Sequence, residues 1–343
     1  MIFFRICVIL ILLLSGCSDN ISKIKEKNNK PFQIEHKKSE IQNIFGWIEN
    51  DILFTFGSND YNNLSKHDVY TGKKITLYKT KNIIINAVPR SDGKLIAIHE
   101  INNKNLSEIK IINNEGDVLF KKESDSTEIK FYWNNFADNF IYVQTFNKDW
   151  SFNTEVINLK EKMATNSNIN EPLFDWISEN DAIYIEWNHT QPAITGPLKI
   201  KNIKSGAIKT LKNNVLAFHV FSNTLVTFGL NTNNSKKVVV TGESISNQST
   251  AFSYEIDLPI SYSEFINIPF INYDEEQRAL YYFETRQDNK QYLIRYTSGK
   301  KEKITQAINS PLICKDNLCL YGQRLDKLIS VDDKSIIDLI KSK

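Results

Sequence analysis

The chain has 343 residues, a formal net charge of +2 and a 41% share of hydrophobic residues, with 20 Phe and 14 Tyr. A balance this close to neutral excludes a dedicated nucleic-acid binder, which carries a clustered basic excess. The apolar content is ample for a large core, and the length alone allows two domains.

Taken in chain order, the N-terminus reads as a signal. Arg5 supplies a minimal positive region, Ile6 to Leu14 form a short apolar stretch interrupted only by Cys7, and Ser15 and Gly16 are the small residues a signal peptidase requires. The apolar stretch is too short to span a bilayer. Leu14-Ser15-Gly16-Cys17 resembles a bacterial lipobox. The resemblance implies that residues 1–16 are a lipoprotein signal peptide and that Cys17 becomes a lipidated N-terminus. The chemistry calls for cysteine: its thiolate is alkylated by a diacylglyceryl donor, and the freed amine takes a fatty acid such as palmitate. Each buried methylene contributes roughly 0.8 kcal/mol, so two or more acyl chains hold a protein stably on a membrane. The expected location is the cell membrane, lipid-anchored and facing outside the cytoplasm. The alternative is an ordinary signal peptide with an incidental cysteine.

Residues 17–42 read as the lipidated N-terminus and a flexible tether, where six lysines mix with Asp19, Glu26, Glu35 and Glu40 and apolar periodicity is poor. Pro31-Phe32-Gln33-Ile34 has a second reading, a strand that joins the folded body.

From residue 43 to 343 helical periodicity almost disappears, and short apolar strands alternate with turns of Asn, Asp, Ser and Gly. Seven times an apolar strand runs through a tight turn into a second aromatic or β-branched strand. These second strands begin at Ile52, Leu95, Phe140, Ile183, Leu225, Leu280 and Leu318, at separations of 43, 45, 43, 42, 55 and 38 residues. Such a period matches one propeller blade, roughly 40–45 residues for four strands. The longest unit is expected to hold an insertion in the polar stretch from Asn231 to Thr250. Later strands recur as well, turning at Thr71-Gly72, Ser205-Gly206 and Ser298-Gly299, where Gly supplies the positive φ of a hairpin. One blade buries only part of its apolar surface, and a neighbour on each side buries the rest. The predicted fold is all-β, a β-propeller of about seven four-stranded blades with six as the alternative. A single sandwich holds fewer units. Ring closure is expected to use the strand near Ile34.

Pro89-Arg90-Ser91-Asp92-Gly93-Lys94-Leu95-Ile96-Ala97-Ile98 resembles the S-P-D-G-K-x-I-A-F repeat of TolB-type bacterial propellers, with Arg90 and Ser91 departing from its order. A broader likeness covers most of the mature chain. The lipobox, the tether, Gly46-Trp47-Ile48, and the stretch from Leu173-Phe174-Asp175-Trp176 to Thr195-Gly196-Pro197-Leu198 look like the YqgU-like lipoproteins of Gram-positive bacteria. The resemblance implies a β-propeller, usually described as six-bladed, and brings no catalytic residues.

Cys7 leaves with the signal and Cys17 takes lipid, so Cys314 and Cys319 remain as thiols. With a two-residue turn at Asp316-Asn317 they face each other across a hairpin, at a Cα separation of roughly 4.5 Å. A disulfide and a pair of buried free thiols are both open. No G-x-S-x-G elbow or Gly-rich phosphate loop occurs, and His36, His67, His99, His189 and His219 show no paired metal spacing. No catalytic residue, metal or cofactor is expected. Asp274-Glu275-Glu276 reads as a solvated turn between strands. Trp47, Trp133 and Trp176 recur at one point of the repeat, which favours packing between blades over a ligand-stacking ring. Trp187-Asn188-His189 breaks the blade pattern and is the candidate binding loop, with a plain connection as its alternative.

The expected function is a membrane-anchored extracytoplasmic lipoprotein with a propeller binding or scaffold domain. Its partners are the membrane, through the anchor, and a protein or cell-envelope ligand, with no nucleic acid. The alternative is an extracytoplasmic enzyme acting on glycans or cell-wall material at the propeller channel, where only fold analogy speaks.

Overall fold

The computed structural model describes residues 30–341 apart from 38–39, 59, 150, 168, 170, 172–173, 188–192, 235, 258–269, 287 and 298. The lipobox and Cys17 therefore lie outside the described residues. Phe32–Lys343 forms one compact unit. The folded unit starts earlier than the expected boundary at residue 43, and Phe32 to Gln42 belong to it.

All regular structure among the described residues is β-strand. The first blade consists of Ile41–Ile48, Asp51–Ser58, Tyr61–Asp68 and Lys74–Thr80, paired in that order. The second runs from Ile83–Pro89 to Val118–Ser124, and the third from Glu128–Trp133 to Met163–Asn166. A seven-stranded sheet follows, from Phe174–Trp176 to Thr250–Asp257. It is two blades fused through the 14-residue strand Ile208–Phe221. Residues Ile208 to Lys212 of that strand close the fourth blade against Leu198 to Lys201, and Val215 to Phe221 open the fifth against Thr224 to Gly229. The sixth blade runs from Ile271–Asp274 to Lys300–Gln306, and the seventh from Leu312–Lys315 to Ser335–Asp338.

Burial explains why the second strands carried the sequence signal. Ile52, Leu53 and Phe54 are each 0% exposed although they are consecutive. A strand covered on both faces by neighbouring blades reads as a continuous apolar run and not as an alternation. The outer strand Lys74–Thr80 is largely open to water. The expected insertion from Asn231 to Thr250 is not found. That stretch is spanned by two tight hairpins joining Thr224–Leu230, Lys237–Ser244 and Thr250–Asp257. Its polarity reflects turns and an exposed outer strand, and the extra length falls between Asp257 and Ile271.

Among the described residues, seven hydrophobic clusters each bridge two consecutive blades. The closing cluster joins Ile44, Ile52 and Phe54 of the first blade to Leu318, Leu320 and Leu328 of the seventh. Ile34–Glu35 pairs in parallel with Ile340–Lys341, and the Ile34 N–H donates to Leu339 O at 2.8 Å. The two ends of this unit thus latch the ring. First strands of neighbouring blades meet: Trp47 Nε1 donates to Ile313 O at 2.9 Å, and Trp133 Nε1 to Val88 O at 2.8 Å. These strands line the axis.

Candidate functional site

One position on each first strand pairs with the second-strand residue that faces the next blade. Val88 pairs with Ala97, Tyr132 with Tyr142, Asp175 with Ile183, His219 with Val226, Asn272 with Tyr281, and Ile313 with Leu320. In the first blade a bulge sets Gly46 opposite Leu53, with Phe45 beside it. Blades seven, one and two therefore place apolar groups here, whereas blades three to six contribute Tyr132, Asp175, His219 and Asn272.

This polar arc has unusual electrostatics. Phe174 and Trp176 are buried between the third and fourth blades, so strand alternation sends Asp175 to the opposite face. Crowding by the surrounding strands strips water from the Asp175 carboxyl and pushes it up to about 7. The hydrogen bond from Trp176 N–H to Asp175 Oδ1, at 2.8 Å, opposes this only partly. Burial pushes the His219 imidazole down. The Tyr132 hydroxyl rises to about 12, through burial first and the Asp175 charge second. Asn272 Oδ1 is buried without a hydrogen-bond partner among the described residues. A carboxyl that titrates near 7 can take up or release a proton at neutral pH. Among the described residues no cluster of three His, Cys, Asp or Glu could hold a metal ion.

A second concavity, of about 640 Å³, opens between the fifth and sixth blades. It lies at the end of the blades where first strands turn into second and third into fourth, because alternate connections of an antiparallel sheet share an end. Asn223 builds one wall: its Nδ2 donates to Ser244 Oγ and to Ser246 Oγ, both at 3.2 Å, and its N–H donates to Glu275 Oε1 at 2.7 Å. Ser249 and Thr250 continue the rim, and Arg278 stands on the sixth-blade side. The floor is aromatic. Phe252 packs 5.6 Å from Tyr273 and 6.2 Å from Tyr296, ring centre to ring centre. It can do so because it lies over Gly242, where a Cβ would come within 2.2 Å of the ring. The acidic run is thus only partly a solvated turn: Asp274 is buried and accepts the Gln277 N–H at 3.0 Å, Glu275 lines the groove, and Glu276 is exposed.

The residues singled out from sequence are dispersed. Trp187 is half-buried and packs on the cluster between the fourth and fifth blades, beside Ile185 and Leu198, away from the groove. Asn188 and His189 lie outside the described residues. Cys314 and Cys319 are directly opposed, and their sulfurs are bonded at 2.05 Å. They hold the register place that Trp47 and Ile52 hold in the first blade, one pair inside the turn-closing pair. Trp133 and Trp176 are buried in clusters between blades, and Trp47 packs on the closing one. Neither the groove nor the polar arc was visible as a motif. The groove draws on turns of two blades, and the arc is one residue from each of four. The 43-residue period could have found the arc, by aligning the residue before Trp133 with that before Trp176.

Ring, arc and groove define an all-β propeller protein with a preformed polar concavity. The chain belongs to the family described as the YqgU-like 6-bladed beta propeller domain, which residues 68–322 match. It is 26% identical over 223 residues to the "Uncharacterized lipoprotein YqgU" of Bacillus subtilis (strain 168), covering 64% of this chain and 62% of that relative. An uncharacterized protein of Listeria monocytogenes EGD-e has a similar crystal structure, with a TM-score of 0.79 at 20% identity, over 91% of this chain and 98% of that one. The β-propeller domain of the Trilobed protease from Pyrococcus furiosus reaches 0.51 at 13% identity, over 88% and 98%. Likeness at these identities shows the fold alone. The family description states six blades, and seven close the ring here. The matched segment begins at the end of the third strand of the first blade and stops just past the second strand of the seventh.

Proposed function

We propose that this chain is a lipid-anchored extracytoplasmic lipoprotein whose propeller is a binding or scaffold module for a cell-envelope ligand or protein. The groove between the fifth and sixth blades carries this reading. Its volume of about 640 Å³ falls within the ~300–1,000 Å³ typical of ligand sites, and it is preformed, as such sites usually are. The lipobox and the lipoprotein relative support the anchor. Between Cys17 and Phe32 an extended chain spans at most roughly 50–55 Å, so the ligand lies close to the membrane or comes to it. Cell fractionation tests the anchor: the wild type sediments with membranes, and Cys17→Ala is released. A variant that still sediments removes the lipid anchor. Crosslinking on intact cells tests the module, and recovery of no stoichiometric partner or ligand counts against it.

A second reading, an enzyme acting on glycans or cell-wall material at the axis, rests on Asp175, whose carboxyl titrates near neutrality. Turnover of isolated cell walls by the wild type but not by Asp175→Asn supports it. No turnover by the wild type removes it.

A further inference from the structure

We propose that the groove between the fifth and sixth blades is a carbohydrate-binding site, taking a short hydroxyl-rich glycan. The proposal rests on the binding-module reading and names the ligand class for it. Three observations carry it.

The first is the type of group on offer. The rim presents side-chain amides and hydroxyls from Asn223, Ser246, Asn247, Ser249 and Thr250. Its backbone groups are already engaged: Ile245 N–H donates to Asn223 O, Ser244 N–H to Ser249 O, and Gln248 N–H to Ser244 O, at 2.7, 2.9 and 2.8 Å. An extended peptide added to a sheet edge needs free main-chain donors and acceptors. A ligand here is read by side chains instead, and vicinal hydroxyls, each both donor and acceptor, match amides and hydroxyls of both kinds.

The second is the charged pair. Glu275 and Arg278 both line the groove, and the Arg278 N–H donates to Glu275 O at 3.2 Å, yet their side chains do not pair with each other. Glu275 Oε1 is occupied by the Asn223 N–H. The Arg278 guanidinium, exposed at the rim, has no hydrogen bond or ion pair among the described residues. A planar fork of five donors facing an acceptor-only carboxylate suits ligand hydroxyls placed between them. Opposite charges of equal size leave no net field to concentrate a phosphate or a polyanion.

The third is the floor. Phe252, Tyr273 and Tyr296 provide an apolar base under a polar rim. A pyranose has the same division, with C–H groups on its faces and hydroxyls around its edge. Phe252 and Tyr273 are buried, and half-buried Tyr296 is the most accessible of the three.

The test uses the full-length lipoprotein in detergent micelles, titrated calorimetrically with the neutral sugars chitotetraose, maltotetraose and cellotetraose. Saturable binding of at least one is expected. Ala251 is exposed in the groove, so Ala251→Trp fills it and abolishes binding. Arg278→Gln weakens binding at least tenfold while leaving the melting temperature within 1–2 °C of wild type, since surface changes free of partners cost little. Binding that survives Ala251→Trp overturns the proposal, as does the absence of saturable binding to all three sugars. If no sugar binds, yet Ala251→Trp still abolishes a stoichiometric crosslink seen with the wild type on intact cells, the binding module stands and the carbohydrate assignment falls.

Discussion

Trp133 and Trp176 occupy one place in adjacent blades, and they differ in a way that can be measured. Both are buried, at 6% and 2% exposure. Trp133 Nε1 donates to Val88 O at 2.8 Å, whereas Trp176 Nε1 is buried with no partner among the described residues. Replacing each by Phe removes a similar volume, so the cavity terms nearly cancel in the comparison. Trp133→Phe also loses a hydrogen bond and strands the Val88 carbonyl, at a cost of about 1–3 kcal/mol. Trp176→Phe discards an N–H that was already unsatisfied, which recovers a penalty of about 1–3 kcal/mol. The two variants should therefore differ by ~2–6 kcal/mol, with Trp133→Phe the less stable. At roughly 2–4 °C per kcal/mol in larger domains this is a gap of roughly 4–24 °C in melting temperature. Paired thermal scans at one protein concentration and scan rate read it directly. Equal destabilisation, or a greater loss in Trp176→Phe, would refute the reasoning.

Three further outcomes follow from buried polar groups and the disulfide. Lys110 Nζ lies 2.7 Å from Glu100 Oε2 and 3.2 Å from Glu108 Oε2, and it donates to Tyr78 OH at 2.9 Å. Burial alone lowers the pKa of this ammonium, and the bonds to Glu100 and Tyr78 more than reverse that. Lys110→Met leaves the buried Glu100 carboxylate without its cation, while Glu108 keeps Lys121 at 3.2 Å, and should cost ~3–5 kcal/mol in urea unfolding; a cost under 1 kcal/mol contradicts the account. His99 is 1% exposed, and burial pushes its imidazole down from 6.5 to about 4. Between those values the unfolded chain binds more protons, so stability should fall as pH drops from 6.5 towards 4, by about 3 kcal/mol in full. His99→Gln should flatten the slope from pH 6.5 to 4.5, and an unchanged slope assigns it elsewhere. Cys314 and Cys319 are five residues apart, so reduction frees only a short loop and should destabilise by about 2 kcal/mol. Unfolding at room temperature under reductant would show that the bond holds more than its own hairpin.

Much of the fold was legible because the blade is a local object. Ile52-Leu53-Phe54 and its six counterparts, each entered through a tight turn, declared the second strand of every blade. Turn glycines such as Gly72 and Gly206, both at φ 73, declared the hairpins. Asn231 to Thr250 misled because turn residues and an outer strand share the composition of an insertion. The candidate loop at Trp187 was picked for its irregularity, and Trp187 packs on the core. The groove escaped notice because Asn223 and Glu275 meet only when two blades are docked.

The sequence by itself determined the repeating unit and its period, since both depend on residues near one another in the chain. The tertiary structure alone decided which surfaces the ring creates. Asp175 is an ordinary carboxylate until the surrounding strands exclude its water. Arg278 is an ordinary turn residue until the fifth blade sets an amide and hydroxyl wall opposite it. Those properties arise from the packing of one blade on the next, and periodicity along the chain carries no record of what a turn will face across that interface.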